Sequence, residues 1–383
     1  MHFQNRQTMQ MVDLHTQYMK IREEVETAWA EVMESGAFIR GAAVKKFEEN
    51  LSCYLGGAKV VTCGNGTDAL QIALMSLNLQ PGDEIITSPF TFIATAEVIA
   101  LLGMKPVFVD VDEKTFTLDV TKVEAAITPR TKVILPVHLF GQCADMEPLL
   151  DIARRHSLYV VEDACQAIGA TYTFSDGTVR MAGTMGTIGC TSFFPSKNLG
   201  CFGDGGALFT QDEKLAAAAA CIANHGSVRK YHHERVGINS RLDSLQAALL
   251  DVKLRHLNEY TRARQAAAAK YNQLLTGCDK LMIPQVIKNS THVYHQYTLR
   301  LCDNVNRIQV QEHLKASGIP SMVYYPVPLH LQQAFAFMGY QRGDFPVAEL
   351  LADTVLSLPM HTELTVEMQE TVAKALLEAV HKG

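Results

Sequence analysis

Through the middle of the chain, short apolar runs rich in β-branched residues alternate with stretches of helical spacing. Glu84-Ile85-Ile86-Thr87, Pro106 to Asp110, Lys132 to Val137 and Tyr159 to Asp163 have the length and composition of strands. Phe92 to Leu102, closed by Gly103, has helical spacing. So has Met146 to His156, with Leu149, Leu150, Ile152 and Ala153 apolar. Cys190 to Phe194 and Ala207 to Thr210 read as two further strands, and the Gly203-Asp204-Gly205-Gly206 turn before the second implies close backbone packing. Strands alternating with helices in this way predict an α/β fold, a mostly parallel sheet with helices on both faces.

After about residue 250 the texture changes. Arg255 to Leu275 is a polar, Ala- and Arg-rich helical stretch with the character of a connector. A strand from Tyr294 to Leu301, a helix from Val310 to Ser317 and an amphipathic helix from Thr365 to Val380 follow, an α+β pattern. We therefore expect a large domain over residues 26–255 and a small C-terminal domain over 256–383. Residues 1–25 are too few for a unit of their own and are expected to pack on the small domain.

Composition narrows the function classes. A chain of 383 residues that is 48% apolar can bury a large core, and its net charge of −6 argues against nucleic-acid binding. No apolar run approaches the ~18–20 residues of a membrane span. Met1 to Arg6 lacks an apolar signal core, so the protein reads as cytoplasmic. The nine cysteines form no C-x-x-C pair, which argues against a disulfide framework or a metal site.

The chemistry centres on Lys197, in Ser192-Phe193-Phe194-Pro195-Ser196-Lys197-Asn198-Leu199-Gly200, 34 residues downstream of Asp163. Alone, such a lysine is a solvated surface charge. Here its apolar neighbours predict burial, which lowers the amine's pKa and suits it to Schiff-base chemistry. Asp163, at a strand's C-terminal end, would cap a helix in the plain reading. In the functional one it keeps the pyridine nitrogen of pyridoxal 5'-phosphate (PLP) protonated. Gly64-Asn65-Gly66-Thr67-Asp68-Ala69-Leu70 is a small-residue turn opening a helix, where N–H groups and the helix dipole grip a phosphate. Gln166 is placed either to reach the ring's phenolic oxygen or as a solvent-exposed helix residue, and Ser192 either to give its hydroxyl to the phosphate or as an ordinary strand serine. Phe92 is placed to stack on the ring, although core packing accounts for it equally and Phe90 competes for the role.

Together these segments resemble the DegT/DnrJ/StrS nucleotide-sugar aminotransferases, PLP enzymes of fold type I, over almost the whole chain. Val12-Asp13-Leu14, Ser88 to Ala96, Glu162 to Gln166, Ser192 to Gly206, Gly237 to Asp243 and Tyr325 to His330 carry the resemblance along with the Gly64–Leu70 turn. It implies a large domain with a mostly parallel seven-stranded sheet, a smaller α+β domain, and a homodimer with shared active sites. By resemblance Lys197 is the Schiff-base lysine, Asp163 the pyridine partner, Gln166 the phenolic contact and Phe92 the stacking ring. Gly66, Thr67 and Ser192 hold the phosphate, Asn239 reaches it from the neighbouring subunit, and Arg241 faces substrate. Asn65 stands where a serine often precedes the Gly-Thr pair. Dehydratases of the family carry histidine in place of the lysine, so Lys197 implies transamination.

Tyr325-Pro326-Val327-Pro328-Leu329-His330 and Thr291 to Tyr297 look most like the branch acting on 3-keto sugars. The resemblance implies transfer from L-glutamate to C3 of UDP-2-acetamido-2-deoxy-3-oxo-glucuronate, in surface polysaccharide biosynthesis. Arg241, His330 and Tyr325 are its expected substrate contacts. A dTDP-3-keto-6-deoxyhexose acceptor is the alternative. A non-catalytic, regulatory PLP-binding protein is a reading of another class. A plain nucleotide-binding α/β protein is disfavoured, because no G-x-G-x-x-G or G-x-x-x-x-G-K-[ST] pattern occurs.

Overall fold

The computed structural model describes residues 9–382. Seven strands build the main sheet: β1 (Lys59–Cys63), β2 (Glu84–Thr87), β3 (Lys105–Phe108), β4 (Thr131–Ile134), β5 (Tyr159–Asp163), β6 (Ile188–Ser192) and β7 (Gly206–Thr210). Their spatial order is β1-β7-β6-β5-β4-β2-β3. Only β7 runs against its neighbours β1 and β6, and every other pairing is parallel.

The sheet is covered on both faces, as a parallel sheet requires. Successive residues of β7 show the two-residue period. Leu208 enters a core with helices Gly66–Ser76 and Glu213–Ile222, while Ala207 and Phe209 enter another with helix Ala42–Tyr54 and the helix Ser244–Leu275. A third cluster packs helix Met146–Arg155 on Ile86, Ile134 and Val160.

The helix Ser244–Leu275 starts well before the expected Arg255. Ala247, Leu249, Leu250 and Leu257 pack in the large core, and Ala267, Ala268, Tyr271 and Leu275 in the small one. The proposed boundary at 255/256 thus falls inside a continuous helix. The small core also holds an antiparallel sheet of Leu281–Met282, Tyr297–Leu301 and Val355–Leu358, with helices Arg307–Ala316 and Val366–Lys382.

The N-terminal segment straddles both units. Met9 packs on the small core, Met360 N–H donates to Met11 O at 3.1 Å, and Lys20 pairs with Glu363 at 2.5 Å. Helix Leu14–Ser35 then lays Ile21 and Val25 on the large core. Residues 1–8 of the expected N-terminal segment lie outside the described residues.

Two expected elements begin later than the pattern implies. The helix after β2 spans Ala94–Leu101, which leaves Phe92 in the turn before it. The strand expected from Tyr294 begins at Tyr297, because Tyr294 adopts φ 46° and turns the chain. Arg264 fixes that turn by donating to Tyr294 O at 3.0 Å and His295 O at 3.2 Å. Among the described residues no helix is long and apolar enough to cross a membrane.

Candidate active site

The carboxyl ends of the parallel strands open on a cavity of about 660 Å³. Ligand sites of open α/β sheets cluster at this edge. At its base, β1 ends and helix Gly66–Ser76 begins. Asn65 caps that helix, its Oδ1 accepting the Asp68 N–H at 2.8 Å. The N–H groups of Gly66 and Thr67 belong to the helix's unpaired first turn, and both residues line the cavity. An amide cradle of this kind suits a phosphate. A side chain at position 66 would collide with the wall beside the turn, since a Cβ there would lie 2.7 Å from Ser192 Cβ and 3.1 Å from Cys165 Sγ. Asn65 thus serves as the helix cap, a role serine also fills.

Asp163 ends β5 and is buried. Its Oδ2 accepts from Thr95 Oγ1 at 2.8 Å and its Oδ1 from the Cys165 N–H at 3.2 Å. Lys197 follows β6 and its half-buried side chain lines the same cavity. Burial pushes its pKa below the usual lysine range, and the nearby Cys165 and Asp163 pull partly the other way. Burial also drives the Cys165 thiol well above its ordinary pKa, reinforced by the Asp163 charge, so it is a neutral part of the wall.

Gln166 is fixed at both ends. Its Oε1 accepts the Phe140 N–H at 2.7 Å, and its Nε2 donates to the Tyr325 hydroxyl at 3.0 Å. Phe92 is 55% exposed on the cavity wall, and its ring lies 6.2 Å from that of Tyr325. Phe90 is buried in the core, so it does not compete for a stacking role. Ser192 completes the wall beside Gly66.

The remaining expected residues lie elsewhere. Asn239 is exposed and Arg241 half-buried, and Arg241 lines separate clefts with Arg40 outside this cavity. Ser240 between them is buried and ties their segment to the back of the phosphate turn, accepting the Gly64 N–H at 2.8 Å and donating to Asp68 at 2.5 Å. His330 corrects a sequence expectation. It is 2% exposed, does not line the cavity, and pairs through Nε2 with Glu349 at 3.0 Å. Glu349 also accepts the Gly343 N–H at 2.8 Å, so the pair fastens two segments of the fold.

Sequence reasoning missed Thr95, which lines the cavity together with His295 of the Thr291–Tyr297 stretch. The signal for Thr95 is two hydroxyls four residues apart, Thr91 and Thr95, where a helix begins. His295 is buried, and desolvation, aided by Lys197 and Arg264, drives its pKa well down, so it is a neutral imidazole.

An amine of lowered pKa, a buried carboxylate and an amide cradle facing one space define a PLP enzyme of fold type I, and the residues present fit that cofactor. The sequence profile described as the DegT/DnrJ/EryC1/StrS aminotransferase family matches residues 19–377, and the chain belongs to this family of PLP-dependent aminotransferases. It is 48% identical over 370 residues to a Geobacillus stearothermophilus protein named pleiotropic regulatory protein, covering 96% of this chain and 97% of that one. It is 45% identical over 368 residues to the UDP-2-acetamido-2-deoxy-3-oxo-D-glucuronate aminotransferase of Pseudomonas aeruginosa, covering 96% and 99%. The crystal structure of S. venezuelae DesV superposes with a TM-score of 0.92 at 41% identity, covering 97% of this chain and 98% of that one.

Proposed function

We propose that the protein moves an amino group from L-glutamate to C3 of UDP-2-acetamido-2-deoxy-3-oxo-glucuronate, for surface polysaccharide biosynthesis in the cytoplasm. The observation that carries the acceptor is the 45% identity, over 96% of the chain, to the Pseudomonas aeruginosa aminotransferase of that name. We further propose a homodimer with shared sites. The outward-facing Asn239 and Arg241 support this, since neither lines the cavity of its own chain.

When bound, PLP supplies the electron sink that makes carbon–hydrogen bonds beside the nitrogen acidic. Gly66, Thr67 and Ser192 hold its phosphate, with Asn239 of the neighbouring subunit, and Phe92 covers one ring face. Asp163 keeps a carboxylate against the ring nitrogen. Gln166, fixed by Phe140 and Tyr325, keeps one N–H for the phenolic oxygen. Lys197 is the attachment amine and the proton carrier. Its Nζ takes the proton from the donor's α-carbon and, in the second half of the cycle, delivers one to C3 of the sugar. Its lowered pKa makes the neutral amine available for that work. Tyr325 contributes a buried hydroxyl at the cavity wall.

Arg241, donated by the partner, binds the uronate carboxylate, for which a guanidinium fork is the matching shape. Losing that charge-assisted contact costs about 1.5–3 kcal/mol, a 10- to 150-fold fall in kcat/KM. The test compares kcat/KM for the uronate with that for the dTDP-3-keto-6-deoxyhexose in wild type and Arg241→Ala. The proposal expects a wild-type preference for the uronate that Arg241→Ala erases. A wild-type preference for the dTDP sugar transfers the assignment to that acceptor. The name of the 48% identical relative raises a regulatory reading. A protein of that kind alone would bind PLP yet form no 2-oxoglutarate from L-glutamate.

A further inference from the structure

Asp163 is held by a short relay of hydroxyls. Thr95 Oγ1 donates to its Oδ2 at 2.8 Å, which uses the only proton the threonine hydroxyl has. The 3.3 Å contact between Thr91 Oγ1 and Thr95 Oγ1 must therefore be donated by Thr91. Donors run in one direction, Thr91 to Thr95 to Asp163. Their relative exposures are 2%, 1% and 6%, so little water competes for these bonds. Thr95 sits in the first turn of helix Ala94–Leu101, whose positive end favours the carboxylate. The Cys165 N–H occupies the other oxygen at 3.2 Å. A carboxylate has about four lone-pair sites, so capacity remains for a partner in the cavity, but the rotamer is set.

The titratable groups facing Asp163 are Lys197, Tyr325, Cys165 and Cys190. Burial raises the phenol and both thiols, so they stay neutral and Lys197 is the one group there able to carry positive charge. None of these four is hydrogen-bonded to Oδ2, whose donor among the described residues is Thr95.

We propose that Thr95 is a positioning residue: its hydroxyl anchors Asp163 Oδ2 to the wall and so aims the carboxylate at the pyridine nitrogen of the cofactor. This rests on the reading that Asp163 pairs with that nitrogen. Valine keeps the shape of threonine and removes the proton, whereas serine keeps the proton.

The experiment measures three quantities for Thr95→Val and Thr95→Ser, with Asp163→Asn as reference. They are the Kd of PLP for the apoprotein, the pH midpoint of the holoprotein's cofactor absorbance, and the apoprotein melting temperature. We expect Thr95→Val to weaken PLP about tenfold or more and to move the midpoint by about half a unit or more, with unchanged apoprotein melting. Thr95→Ser should stay within about threefold of wild type. If Thr95→Val does not fold, Thr95→Cys serves in its place, because a thiol is a poor donor. Equal Kd and midpoint in Thr95→Val and wild type would overturn the proposal. So would a Thr95→Ser variant as impaired as Thr95→Val, which assigns the residue to packing. An Asp163→Asn variant that matches wild type in all three would instead refute the Asp163 reading beneath it.

Discussion

Gly206→Ala puts the position of the phosphate cradle under direct test. Strand β7 passes against the Asn65–Gly66 turn. A methyl group on Gly206 would lie 2.3 Å from the Asn65 carbonyl oxygen, 2.4 Å from its carbon and 2.9 Å from the Gly66 nitrogen. Comfortable contact needs about 3.5–4.0 Å. All three atoms are backbone, so no side chain can swing aside. β7 is paired on both edges, with β1 and β6, so the turn has to move, by roughly 1 Å. A shift of that size takes an N–H out of the 2.7–3.2 Å range of a hydrogen bond. Each charge-assisted bond lost costs about 1.5–3 kcal/mol, so the Kd of PLP should rise 10- to 150-fold for one broken contact. The assay is equilibrium titration of the apoprotein with PLP, with its melting curve as the control for folding. A folded Gly206→Ala protein that binds PLP within twofold of wild type would show that the Asn65–Gly66 turn does not hold the phosphate.

Asp163→Asn should retain PLP binding in part but slow single-turnover reaction with L-glutamate by several orders of magnitude, because a neutral amide no longer favours the protonated ring nitrogen; an unchanged rate returns Asp163 to a purely structural role. Mixing inactive Lys197→Ala with inactive Asn239→Ala/Arg241→Ala subunits should restore part of the activity in hybrid dimers. No recovery after demonstrated subunit exchange means that each site is built from one chain. Lys253 is buried with its Nζ donating to Gly200 O at 2.6 Å, and burial lowers its pKa from 10.5 to about 8. Above pH 8 the unfolded chain therefore holds more proton on this residue than the folded one, so its contribution to stability rises with pH, by roughly 1.5 kcal/mol between pH 8 and 9.5. Denaturant midpoints of the apoprotein should show that rise in wild type relative to Lys253→Met, and parallel profiles would contradict it.

What the sequence carried and what it withheld have different physical origins. Strands β2 and β5 were legible because each is a short, fully apolar-context run bounded by turn residues. Strand β1 went unread because it lies at the sheet edge with Lys59 exposed and only its last two residues buried. The early start of helix Ser244–Leu275 was hidden because its first turns are buried in the large core and read as the end of that unit. Lys197, Asp163 and Gly66 were legible because their chemistry is written in local segments. His330 was misread because the local segment Tyr325 to His330 shows which side chains it carries but not toward what they point. Its partner, Glu349, lies 19 residues away. Thr95 had a local signal, two hydroxyls one helical turn apart, but only the folded chain brings Asp163 within 2.8 Å of it.

One cavity, built on Lys197, performs the amino transfer. The most direct measurement is the amount of 2-oxoglutarate formed when PLP-loaded protein is mixed with L-glutamate and no sugar. Wild type should form one equivalent per chain, together with loss of the cofactor's attached-form absorbance, and Lys197→Ala none. No 2-oxoglutarate from the wild-type protein, or as much from Lys197→Ala, would contradict it.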